Sequence, residues 1–256
     1  MKGFKLPEEI YIIFLKLIKV RIGGSLAIEW IEITKNSTKY FDEVMKLYEQ
    51  SFPLEVRESQ DIFHRSIRYS ESSFPNTFRF LVGIEDEKVL SFATGHFLAS
   101  VNAGFVVYIV TNPSIRSSGL GSKTLHKLEE LLNADAINAG YENIDKILLE
   151  TEIKEMVHTE KEKEECGKRE KFFKRNGYFH LSSIDYRQPP LHKEEQSVPL
   201  KLFVKKCNAE DISYDRLQQA IVALYQEKYF HVNGIKRMVL HNCLREMGIE
   251  ERGITF

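Results

Sequence analysis

Val106-Val107-Tyr108-Ile109-Val110-Thr111-Asn112-Pro113-Ser114-Ile115-Arg116-Ser117-Ser118-Gly119-Leu120-Gly121 joins a β-branched, aromatic run to a glycine-containing turn. Phe105 to Thr111 is composed like a central strand, and Asn112-Pro113 ends it. Leu125, Leu128, Leu131 and Leu132 then recur at the spacing of a helix with one buried face. A strand, a tight turn and a helix therefore follow one another without a gap. The first N–H groups of such a helix have no intrahelical partner, and its dipole favours negative charge there. Arg116 adds a permanent cation, so a phosphate or pyrophosphate is the expected ligand.

Two common phosphate motifs do not fit. The mononucleotide loop GxxxxGK[ST] fails because Ser122 separates Gly121 from Lys123 and no glycine stands five residues upstream. The dinucleotide pattern GxGxxG fails because Thr124 occupies its third glycine position. What remains is R-x-x-G-x-G after a strand that ends near a proline.

Outward from this turn, Leu26 to Thr34 alternates as a half-buried strand, and Phe41 to Tyr48 repeats as a helix. A second short helix is expected around Ile62, Phe63 and Ile67. Phe78 to Ile84 and Val89 to Ala99 form a hairpin across Glu85–Lys88. Ile144 to Glu152 is a further strand, and the charged run Lys154 to Lys168 reads as a solvated loop or a helical arm. Arg169 to Asn176 is expected as a short helix stopped by Gly177, followed by strands at Tyr178–Ser182 and Val198–Lys205. Ser213 to Met247 is helical, with a break at Asn233-Gly234. The expected fold is α/β, a mixed and mostly antiparallel sheet with helices on both faces. The division is an N-terminal helical extension (1–25), a central domain (26–206) and a C-terminal helical extension (207–256).

Order of elements and the R-x-x-G-x-G turn together resemble the GNAT N-acetyltransferase superfamily, over roughly Ile28 to Lys205. The resemblance implies a GNAT-type acyltransferase that uses acetyl-CoA as co-substrate. It places Arg116, Ser117, Ser118, Gly119, Leu120, Gly121 and Ser122 around the pyrophosphate, and Ile109, Val110 and Thr111 along the pantetheine arm. By the same resemblance the Ile109 amide faces the thioester carbonyl, and Ile144–Glu152 splays away to admit the arm. Arg169-Glu170-Lys171-Phe172-Phe173-Lys174-Arg175-Asn176-Gly177-Tyr178 is similar to the family's second signature. Here the position usually held by a thiolate-protonating tyrosine is Phe173, so that role is empty or moved, with Tyr178 or Tyr108 as replacements.

On the acceptor side, a base is needed because an amine attacks only when neutral. Glu150 and Glu152 share one face of their strand, and Glu55 follows the Ser51-Phe52-Pro53 turn where this fold holds its acceptor. His96, on the strand before the central one, reads as a core residue. The expected activity is acetyl transfer to a primary amine, small-molecule or peptide, by direct attack in a ternary complex. The alternative is a non-catalytic acetyl-CoA-binding regulatory or interaction module.

Composition limits the partners. The chain has 256 residues, 36 basic against 37 acidic, and a net charge of −1, which lacks the basic footprint of a nucleic-acid binder. Its 3 cysteines are far apart, as in a reducing compartment, and no metal-ligand spacing occurs. Ile10 to Val20 is apolar but about half the ~20 residues needed to span a bilayer, so no stable membrane insertion is expected and the location expected is cytoplasmic. The C-terminal extension is expected to act as a dimerisation element, giving a homodimer, or as a lid.

Overall fold

Alternating and β-branched runs assemble into an eight-stranded sheet in a computed structural model that describes residues 28–52, 57–115, 119–192, 196–209 and 212–249. The strands are β1 (Glu29–Glu32), β2 (Thr77–Glu85), β3 (Lys88–Leu98), β4 (Ala103–Thr111), β5 (Lys146–Glu152), β6 (Phe179–His180), β7 (Arg187–Gln188) and β8 (Val198–Lys206). Their order is β1-β2-β3-β4-β5-β8-β6, with β7 paired to β8. Only β4 and β5 run parallel; every other pair is antiparallel. The N-terminal apolar run Ile10–Val20 lies outside the described residues.

Side-chain alternation assigns the helices to faces. On β3, Phe92, Thr94, His96 and Leu98 point one way, here called the front, and Ala93, Gly95 and Phe97 the other. Helices α1 (Phe41–Ser51) and α2 (Gln60–Ser72) cover the front through Val44, Met45, Tyr48 and Phe63, packed on Phe80, Phe92 and Tyr108. The back is covered by α3 (Leu120–Asn138) and α4 (Glu160–Arg175), with Leu125, Leu128, Leu132 and Phe173 against Ala93, Phe97 and Val106.

The rest of the front face is covered by the C-terminal segment. This comprises α5 (Tyr214–Leu224), a π-helical stretch (Tyr225–Val232) and α6 (Arg237–Glu246), separated by Gly234 at φ 71°. Ala220, Ile221, Leu224 and Leu244 share a core with Phe105, Leu148, Leu202 and Val204 of the sheet. The apolar face of this extension is thus spent on its own chain.

Helix α4 differs from the expected loop or arm followed by a short helix. The charged run and the signature segment form one helix, because Thr159 and Glu162 make a reciprocal capping box (2.8 and 3.2 Å). Ion pairs Lys163–Glu160 and Lys168–Glu164 then turn the alternating charges into helical spacing. Thr159→Ala is expected to cost about 1 kcal/mol of stability in urea unfolding.

Candidate active site

The parallel pairing of β4 with β5 stops early. It runs from Ala103–Lys146 to Val106–Leu149, although β4 stays paired with β3 up to Thr111 and β5 with β8 up to Glu152. The two strands therefore diverge into a wedge that is closed at Val106 and open at Thr111. A bulge sits at the apex: Tyr108 pairs with Thr94 and Val106 with Gly95, leaving Val107 extra. Such a bulge bends its strand and re-aims the residues beyond it.

Backbone direction inside the wedge follows from the ladder. Asn112 N–H donates to Leu90 C=O at 2.8 Å, so Asn112 points towards β3. Antiparallel ladders alternate with period two, so Val110 and Tyr108 point the same way, and Ile109 and Thr111 point into the wedge. With β5 gone, the N–H and C=O groups of Ile109 and Thr111 form an unpaired strand edge. Val110 departs from its expected role: its amide faces β3 and its side chain is buried in the front core.

At the mouth of the wedge, on the back face, α3 begins. Gly119 caps it at φ 75°, a left-handed conformation that a side chain would strain. The first helical bond runs from Lys123 N–H to Gly119 C=O (3.1 Å), so the amides of Leu120, Gly121 and Ser122 have no helical acceptor. At Gly121 a Cβ would lie 3.1 Å from the Phe172 ring and 3.7 Å from Thr111 Cγ2. That contact brings α3, α4 and the end of β4 together. Arg116, Ser117 and Ser118 of the same turn, and Glu55 of the α1–α2 loop, lie outside the described residues.

The same contact corrects the reading of the second signature. Phe173 is buried in the back core against Tyr178 and Phe203, whereas Phe172 lines the mouth beside Gly121. Neither carries a hydroxyl. Tyr178 does not supply one either: its hydroxyl donates to Glu129 at 2.8 Å, beside Lys205, whose register partner Ile147 lies in the closed part of the sheet. Tyr178 is a back-face core residue remote from the wedge opening.

Glu150 and Glu152 separate in the structure. Glu152, at the end of β5, is paired with Arg169 of α4 at 2.9 Å. Glu150 is buried on the front face, where its Oε1 accepts from the Tyr229 hydroxyl (2.9 Å) and from the Gln188 side-chain amide. The Tyr186 hydroxyl lies against the same carboxylate and bonds to it as well. Burial pushes the Glu150 carboxyl above the usual range, opposed by bonds from Tyr186, Tyr229 and Gln188 and by the charge of Lys228. A buried carboxylate with raised proton affinity is suited to accept a proton.

Around Glu150 lies a polar cluster whose members come from distant segments. Glu58, on the α1–α2 loop, receives Lys228 Nζ at 2.7 and 2.9 Å, and both side chains are under 5% exposed. Asn233 also donates to Glu58, and the Glu58 N–H reaches the Tyr48 hydroxyl at 2.8 Å. Tyr108 faces this group from β4; burial first, then the Glu58 charge, holds its hydroxyl far above the ordinary range. His96 is fully buried against Phe78 (4.9 Å), and burial, with Lys228 second, keeps it neutral by lowering its proton affinity. Sequence reasoning missed Glu58, Tyr186, Lys228, Tyr229 and Asn233. Lys228→Ala would leave the Glu58 charge buried alone, and we expect a loss of about 3–5 kcal/mol in urea unfolding.

Among the described residues there is no group of three or more His, Cys, Asp or Glu able to hold a metal, and no helix long and apolar enough to cross a membrane.

Residues 41–145 match the family model described as "Acetyltransferase (GNAT) family". Among solved structures, a Bacteroides thetaiotaomicron protein assigned as a GNAT-family acetyltransferase is 23% identical, over 82% of this chain and 100% of that one, with a TM-score of 0.59. An aminoglycoside 6'-N-acetyltransferase complexed with coenzyme A is 13% identical, over 72% and 99%, with a TM-score of 0.48. The ribosomal-protein-S18-alanine N-acetyltransferase from Escherichia coli is 11% identical, over 72% and 96%, with a TM-score of 0.46. The first likeness is one of fold. No curated protein matches the chain.

Proposed function

From the match of residues 41–145 to the GNAT family model and the likeness of fold, we propose that this chain is a GNAT-type acyltransferase that moves an acetyl group from acetyl-CoA to a primary amine. The observation that carries the reading is the wedge: a strand edge at Ile109 and Thr111, opened by the departure of β5, beside the free amides of Leu120–Ser122. The residues fit the group. An extended amide-bearing arm would complete the Ile109–Thr111 edge, and a diphosphate would satisfy the first turn of α3. Arg116, Ser117 and Ser118 are proposed to add charge and hydroxyls at that turn. When bound, acetyl-CoA supplies an activated thioester.

The roles of the chain's own residues follow from their placement. The Ile109 amide donates towards the carbonyl oxygen, where negative charge grows as the amine attacks; a fixed donor there is commonly the largest electrostatic contribution. Cofactor groups lie on the back face, where α3 starts, so the amine comes from the front face. There Glu150 takes the proton that the amine must lose, with Tyr229 and Gln188 fixing its other oxygen. Glu55 is proposed to help draw a cationic acceptor in, while Glu152 is proposed to hold α4 against β5 through Arg169. Neither Phe172 nor Phe173 can protonate the leaving thiolate. A thiol with a pKa of about 8.5 leaves acceptably without full protonation, so the reaction does not require that acid.

The experiment is CoA-thiol release over a panel of amines, with cofactor binding by calorimetry. Turnover of at least one amine class, coupled to CoA binding, is expected. The absence of a hydroxyl at Phe172 and Phe173 favours a second reading, a non-catalytic acetyl-CoA-binding module. Tight CoA binding without turnover on any amine would establish that reading instead.

A further inference from the structure

Cations are plentiful on the back face around α4, and most of them have a carboxylate. Arg169 pairs with Glu152 at 2.9 Å, Lys205 with Glu129 at 2.7 Å, and Lys127 with Glu130 at 2.7 Å. Glu170 holds Lys201 and lies 4.0 Å from Lys174. Arg175 is different: it is exposed, and among the described residues it has no carboxylate partner. Its guanidinium lies over the Phe172 ring instead, 5.9 Å from the ring centre, within the range of a cation–π contact.

That ring marks the mouth of the wedge. A Cβ at Gly121 would meet it at 3.1 Å, so one aromatic side chain separates Arg175 from the first turn of α3. Positions three apart share a helix face, and helical side chains lean towards the N-terminus of their helix. Arg175 is therefore carried back over Phe172 towards the mouth. The neighbouring cations are placed otherwise. Lys171 is adjacent to Phe172 in α4 and Lys123 is two residues past Gly121 in α3, and positions one or two apart do not share a face. The nearby acids Glu129, Glu130 and Glu170 are already paired, so the charge of Arg175 is not offset locally.

We propose that Arg175, seated on Phe172, reads the 3'-phosphate of CoA, the monoester on the same ribose whose 5' carbon carries the diphosphate. This rests on the acetyl-transfer reading and adds cofactor selectivity to it. With the diphosphate on the amides of Leu120–Ser122, the monoester is only a few bonds away, within reach of a cation across the mouth. A phosphate monoester carries nearly two negative charges and three acceptor oxygens. A guanidinium meets such a group with two parallel hydrogen bonds, where an ammonium offers a point charge. The α3 amides cannot supply this discrimination, because every form of the cofactor has the diphosphate.

The test is calorimetry of the full-length chain with CoA and with dephospho-CoA, which lacks only the 3'-phosphate. The native chain is expected to bind CoA about tenfold more tightly, equal to about 1.4 kcal/mol, and added salt should narrow the gap because the charge is exposed. Arg175→Met keeps an apolar stem over Phe172 and is expected to close the gap by weakening CoA alone, with dephospho-CoA affinity unchanged. Arg175→Lys should retain part of the gap, and Lys171→Met all of it. Equal weakening of both ligands by Arg175→Met would put the guanidinium on the diphosphate and overturn the assignment. No gap in the native chain, a gap that survives Arg175→Met, or one that Lys171→Met removes equally would overturn it too, leaving Arg175 as a cation that complements the C-terminal carbonyls of α4. All of these results leave acetyl transfer standing. Failure of the native chain to bind either ligand would overturn the acetyl-transfer reading and the assignment with it.

Discussion

Glu150→Gln is expected to leave CoA binding intact and to lower kcat by about 100- to 10,000-fold, the usual worth of a positioned general base. The substitution is conservative in this setting. A glutamine oxygen can still accept from Tyr229 and Gln188, and its amide can donate to the Tyr186 hydroxyl oxygen beside it. Only the ability to take a proton disappears. The pH profile gives an independent check. Burial raises the Glu150 carboxyl, and its protonated form cannot act as base. The rate of the native chain should therefore fall with decreasing pH through a midpoint above the ordinary carboxylate range, and the variant should lose that limb. Native-like activity in Glu150→Gln would make Glu150 a structural acid and leave the base elsewhere.

Gly121→Asp carries the second large effect. A carboxylate in the first turn of α3 would stand among the amides of Leu120–Ser122 and repel a diphosphate, and its Cβ would already press on Phe172 at 3.1 Å. Charge-assisted hydrogen bonds are worth about 1.5–3 kcal/mol each, so losing two of them weakens CoA binding by about 100-fold or more. Calorimetry of both variants separates the two sites: Gly121→Asp should act on CoA affinity, and Glu150→Gln on kcat. Unchanged affinity in Gly121→Asp would remove the diphosphate from this turn.

These two residues also show what a sequence can carry. The turn at Gly119–Gly121 was legible because its elements are adjacent: strand, turn and helix follow in one stretch, and local rules fix each. The order of sheet and helices was legible for the same reason, and the parting of β5 from β4 came with the family resemblance. The charged run Lys154–Lys168 leaves a solvated loop and a helical arm both open, and the capping box of Thr159 and Glu162 decides for a helix from Glu160, continuous with the signature segment. Phe172 and Phe173 are neighbours, and only the packing of α4 against Gly121 decides which faces the mouth.

The acceptor side was illegible for a different reason. Glu58 and Lys228 are separated by 170 residues, and no local pattern announces that they meet. Glu150 looks like any alternating strand glutamate until Tyr186, Gln188 and Tyr229 close over it. The tyrosines of the C-terminal segment read as ordinary helical aromatics. Their function depends on which face of the sheet that segment covers, and pairing at such distances is set by the tertiary fold.

A crystal structure of the chain with CoA tests the wedge most directly. The account predicts the diphosphate on the amides of Leu120, Gly121 and Ser122, the pantetheine arm hydrogen-bonded to the Ile109–Thr111 edge, and the sulfur pointing between β4 and β5 towards Glu150. CoA bound at another surface, or β5 drawn in to pair with β4 beyond Val106, would contradict it.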